Sequence, residues 1–284
     1  VSNVSENHQF EVLASGYGLI EGPRVDANDN LYFSDVQNGG VYRRSQDGVV
    51  ETVVPKRRGV GGIALHEDGG LVISGRNICH VKDGETRVIF ALEDVPGFND
   101  LFTNQEGHVL VGSMRANPFE FSGPRVTGEF YVIIGEGKAT RLYEDVSLTN
   151  GIGFSPDGKT LYHSDTARNH VIVHELDGLG HAINRRPLAD SPGVHPDGLA
   201  VDEAGCIWVA DYGGSCVHRY RPDGKLDASI EVPAKQITSL CFGGSDLRDL
   251  YVVSADNSEN PELAGTVFRT RVETPGLAAP LVTI

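Results

Sequence analysis

Ser155-Pro156-Asp157-Gly158-Lys159-Thr160-Leu161-Tyr162-His163-Ser164-Asp165 is the stretch on which the fold turns. Its first half is turn chemistry, in which Gly supplies the positive φ that a tight turn needs. Its second half is a short apolar strand that ends in Ser-Asp. The same grammar returns at residues 26–35, 66–75, 104–113, 202–211 and 243–256. The strands of the six copies start at Leu31, Leu71, Val109, Leu161, Ile207 and Leu250, in steps of 40, 38, 52, 46 and 43 residues. Six copies at that spacing predict an all-β fold, a six-bladed β-propeller with four antiparallel strands per blade. A strand of small residues precedes each turn, as in Gly62-Ile63-Ala64-Leu65 and Gly198-Leu199-Ala200-Val201. Such residues suit the crowded channel side of a blade. Residues 9–13 and 266–272 read as strands that share the last blade and remove its free edge. The whole chain, 1–284, is expected to be one propeller domain.

Composition narrows the function. With 24 Lys and Arg against 39 Asp and Glu, the net charge is −15. Nucleic acid and anionic membranes are therefore not expected partners. The one tight basic run, Lys56-Arg57-Arg58, reads as a solvated loop tip. Cys79, Cys206, Cys216 and Cys241 contain no CxxC pair and read as buried free thiols. No apolar run reaches a membrane span and no signal peptide is visible, so the expected compartment is the cytoplasm. The start at Val1 leaves open that an upstream segment has been removed.

Residues that recur in most copies serve the blade. Asp35, Asp165, Asp211 and Asp256 recur in this way and read as Asx-type turn caps. The position just ahead of each small inner strand is different, for it varies. It holds Glu21, Gly61, Asn99, Asn150 and Asp197, and in the last copy the region 236–239. Equivalent points of a closed ring converge at one channel mouth. Two carboxylates and two carboxamides there make an oxygen cage for a divalent ion. They also read, equally well, as turn-forming Asn and Asp at strand entrances.

Five short segments then carry a resemblance: Glu21-Gly22-Pro23, Phe98-Asn99-Asp100, Thr149-Asn150-Gly151, Pro196-Asp197-Gly198-Leu199 and the run from Thr238 to Gly244. In order and over nearly the whole chain, they resemble the SMP-30/gluconolactonase/luciferin-regenerating-enzyme-like family, the regucalcin-like lactonases. The resemblance implies a propeller hydrolase that opens lactones with one divalent metal ion, Ca2+ first, with Zn2+, Mn2+, Mg2+ or Fe2+ as alternatives. It implies Glu21, Asn150 and Asp197 as ligands, Asp197 as general base, and Asn99 in catalysis or on the substrate. Asp100 and His195 join Asn99 as substrate-binding candidates. One departure stands out: the sugar-lactone members commonly carry an Arg where this chain has Gly97. The long third-to-fourth step also adds a loop with Phe119 and Phe121. Together these predict a more apolar lactone or aryl ester as ligand, under a lid of two rings. The partner is a small molecule, and the chain is expected to be a monomer or small homo-oligomer. A non-hydrolytic reaction on the same site (isomerase, lyase or ether cleavage) and a non-enzymatic binding platform are the competing classes.

Overall fold

The computed structural model describes residues 5–6, 8–116, 126–177, 180–188, 194–255 and 260–284. Six sheets form the predicted propeller. Blade 1 holds Ile20–Val25, Leu31–Asp35, Val41–Arg44 and Val50–Val54, from axis to rim. Blade 2 holds Ile63–Leu65, Leu71–Ile73, Ile78–Lys82 and Glu85–Phe90. Blade 3 is built from Gly97–Thr103, Val109–Met114, Gly128–Gly135 and Lys138–Val146. Blade 4 has Thr149–Phe154, Thr160–Asp165, His170–Leu176 and Ala182–Pro187. Blade 5 has Pro196–Val201, Ile207–Asp211, Cys216–Tyr220 and Leu226–Glu231. Blade 6 has Ile237–Gly243, Asp249–Ser254 and Val267–Arg271, and Glu11–Ala14 supplies its outer strand. Among the described residues there is no α-helix, only two short 3-10 turns. No helix among them is long and apolar enough to cross a membrane.

The ring closes as the sequence predicts. Glu11 pairs with Arg269 and Val12 with Phe268, so both ends of the chain share blade 6. An unpredicted second clasp adds to it: Ser5–Glu6 runs parallel to the outer strand of blade 5, opposite Ser229 and Ile230. The apolar core is divided into clusters that lie between neighbouring blades, because each blade buries both of its faces. Trp208, Val217, Leu240 and Phe268 join blades 5 and 6, for example, and Ile20, Phe33, Tyr251 and Val267 join blades 6 and 1.

The C-terminal tail closes the lower end of the axis. From blade 6 it reaches blade 5, where the Leu277 N–H donates to the Val201 carbonyl. Five residues later the Val282 N–H donates to the Leu65 carbonyl in blade 2, on the opposite side of the ring. Val282 is fully buried among Ala64, Phe98 and Leu101. The inner strands end at this base, so their first residues stand at the opposite end of the axis.

Two surface readings need correction. Arg57 is not a solvated tip, since its guanidinium donates to the Ser74 and Asn77 carbonyls at 3.1 and 3.0 Å. Cys216 is only half-buried, unlike the other three thiols.

Candidate active site at the channel mouth

The inner strands do not present their site residues by regular pleating. In blades 1, 3, 4, 5 and 6 the pairing with the second strand slips once, at Glu21/Arg24, Phe98/Leu101, Thr149/Ile152, Pro196/Leu199 and Ile237/Ser239. Each slip is a β-bulge, which kinks the strand and re-aims a side chain. The bulges hold the pair Asn99-Asp100, Asn150 and Asp197, and Glu21 is the paired residue just before the bulge at Gly22-Pro23. Blade 2 has none, and Gly61 stands at its equivalent point. A Cβ there would lie 2.4 Å from Asn99 Oδ1, so the neighbouring Asn occupies that space. In blade 6 the bulge residue is Thr238, whose hydroxyl donates to the Ile20 carbonyl of blade 1 at 2.5 Å.

The glycines after Asn150 and Asp197 have a steric cause. Gly151 and Gly198 face the next inner strand so closely that a Cβ would lie 2.1 Å from Leu199 N and 2.1 Å from Ser239 Oγ, respectively. Behind the mouth, buried aspartates fix the approach to the inner strands. The Gly18 N–H donates to Asp35 Oδ2, Ser147 and Leu148 donate to Asp165, and His195 donates to Asp211 Oδ1, all near 3 Å. Asp35 also takes the Gln37 and Asn38 N–H groups, as an Asx cap does. Asp165 and Asp211 instead tie down the linker ahead of the inner strand. Asp256 lies outside the described residues.

Glu21, Asp100, Asn150 and Asp197 are all buried. Glu21 Oε2 and Asp197 Oδ1 have no hydrogen-bond partner. Burial, then the charges of Asp197 and Asp100, push the Glu21 carboxyl well above its usual range, against the Gly22 N–H and Arg24. Burial and Asp100 raise Asp197 in the same way, against the Gly198 N–H. Asp100 itself is pushed up by burial to about 6, with Arg24 and the Leu101 N–H opposing. Three carboxyls in one dry place, two with an unused oxygen, fit a divalent cation, which removes the repulsion.

Asn150 is oriented for that task. Its Nδ2 donates to Thr166 Oγ1 at 2.6 Å, and the Thr166 hydroxyl donates to the Pro196 carbonyl at 2.6 Å. Asn99 Nδ2 donates to Asn150 Oδ1 at 2.7 Å and to the Thr149 carbonyl at 2.8 Å. Both Asn99 amide hydrogens are thus engaged, and the side chain positions Asn150 while offering only its own oxygen. His195 is exposed, and its ring pairs with Asn169 Oδ1 at 2.8 Å. Phe119 and Phe121 lie outside the described residues.

Arg24 escaped the sequence reading. It is buried on the Glu21 strand, held by the Pro23 and Leu101 carbonyls and set 5.3 Å from the Phe102 ring centre. A charged residue inside a strand that must line the axis was the available signal. Thr166, in a turn with no motif of its own, gave none.

The profile of the SMP-30/gluconolactonase/LRE-like region matches residues 19–256. A 6-deoxy-6-sulfogluconolactonase of Pseudomonas putida is 35% identical over 269 residues, covering 88% of this chain and 90% of its own. A pentonolactonase of Haloferax volcanii is 30% identical over 288 residues, covering 93% and 94%. Among solved structures, a calcium-binding regucalcin of Agrobacterium tumefaciens superposes with a TM-score of 0.87 at 26% identity over 100% of both chains. Matching profile, relatives and propeller together place the chain in the SMP-30/gluconolactonase/LRE-like family.

Proposed function

We propose that the chain hydrolyses a sugar lactone, with a divalent cation held by Glu21, Asn150 and Asp197. The observation that carries this reading is the pair of buried, unpartnered oxygens, Glu21 Oε2 and Asp197 Oδ1, at the starts of two inner strands. Calcium is the ion to test first, since the donors are all oxygens and a regucalcin relative is calcium-binding. When bound, such an ion polarises the lactone carbonyl and offsets charge on its oxygen.

The chain's own residues do the rest. Asp197 accepts a proton from water, whose oxygen bonds to the carbonyl carbon. The ring C–O bond breaks, and Asp197 returns the proton to the released alkoxide, which leaves a hydroxy acid. Asn99 keeps the Asn150 oxygen turned toward the site. Arg24 offsets the charge of Glu21 and Asp100.

Sugar lactones come before aryl esters as test substrates. The Pseudomonas putida and Haloferax volcanii relatives are named for sugar lactones, and the apolar expectation rested on Gly97 and on two Phe residues outside the described chain. The test is acid release from gluconolactones and pentonolactones by chelated and metal-reloaded protein. Chelation should abolish turnover and reloading restore it, while Asp197→Asn should lose about 10²–10⁴-fold. Failure of the metal-loaded protein to release acid from any lactone overturns the reading.

A further inference from the structure

We propose that Asp211, Cys216 and His218 form a second metal site, for a thiophilic divalent cation such as Zn2+, on blade 5 outside the channel. Among the described residues, these three have ligand atoms that all lie within 4.8 Å of one another. His218 Nε2 stands 3.2 Å from Asp211 Oδ2 and 3.3 Å from Cys216 Sγ, and Sγ is 3.9 Å from Oδ2. Zinc bonds of about 2.0–2.3 Å at tetrahedral angles put ligand atoms roughly 3.3–3.6 Å apart. The trio is therefore close to one face of a tetrahedron, and a water can take the fourth corner.

Two comparisons separate this site from ordinary blade architecture. Asp35 and Asp165, at the same point of their blades, give both oxygens to backbone N–H groups. Asp211 gives one oxygen to the His195 N–H and turns the other to His218 and Cys216. A Cβ at Gly214 would lie 2.0 Å from that oxygen, so the glycine lets the turn fold over it. The second comparison is with a nucleophilic Cys-His-Asp relay, in which thiol and carboxylate bind opposite ring nitrogens. Here both meet Nε2, while Nδ1 faces Ser229 Oγ at 2.8 Å. An Nδ1–H donated to Ser229 leaves the Nε2 lone pair for a metal, the usual support for a ligating histidine. Binding releases the Cys216 thiol proton to solvent and forms the metal–sulfur bond.

The experiment titrates the full chain, stripped of metal, with Co2+ and follows the thiolate-to-cobalt charge-transfer absorption. The channel site has no sulfur and is silent in this readout. A band whose amplitude corresponds to one cobalt–thiolate site per chain, that Zn2+ displaces and that survives Asp197→Asn, is expected. Cys216→Ser and His218→Gln should erase it, and Ser229→Ala should weaken affinity about ten-fold. Alkylation of Cys216 on the folded wild-type protein gives a second route to the same loss, since the other three cysteines are buried. No band, or a band unchanged by Cys216→Ser and by alkylation, overturns the proposal.

Discussion

Asp100 sets how the mouth responds to pH. Its carboxyl is raised by burial from 3.8 to about 6. A carboxyl raised on folding holds its proton more tightly in the folded chain, so it adds stability at low pH. That stability is lost as pH rises from the ordinary carboxylate range through about 6. The raised Glu21 and Asp197 act in the same direction. The metal-free protein is thus expected to lose roughly 2–3 kcal/mol across that window through Asp100. Asp100→Asn should flatten the loss, as read by denaturant melts in chelator, and an unchanged slope would refute the assignment. The common placement of Glu21, Asn150 and Asp197 at the starts of their inner strands was legible because they differ from one another at a fixed offset in the repeat. Arg24 and the tethering role of Asn99 were not, because both depend on which neighbouring blade a side chain meets.

At the scale of the element, the bulged inner strand is the device that turns a repeat into a site. A sequence shows strand and turn by period, but a bulge appears only as a mismatch with the partner strand. The acidic or amide residue followed by glycine is its one visible trace. Gly151→Ala tests the packing directly, since its Cβ would meet the Leu199 backbone at 2.1 Å. Separating the two strands should cost about 1–3 kcal/mol. It should also weaken Ca2+ binding, because Asn150 and Asp197 flank the contact. Wild-type stability and calcium affinity in that variant would show that the inner strands are looser than described.

At the scale of the whole molecule, six equivalent blades were readable, and so was the closure of the ring by Glu11–Ala14. The tail across the base was not, because 273–284 is too short and irregular to carry a period. Removing 281–284 exposes the pocket filled by Val282 and should cost about 1.5–3 kcal/mol, with channel metal affinity retained. Loss of metal affinity without loss of stability would place the tail in the site instead. The proposed function needs one cation shared by three blades. Its most direct test is the thermal unfolding of wild type and Asp197→Ala over a Ca2+ titration. Wild type should gain about 2.7 kcal/mol at a hundred times its Kd. Asp197→Ala, relieved of a buried charge, should be at least as stable without metal and gain nothing with it. An equal calcium-induced gain in both proteins would contradict the site.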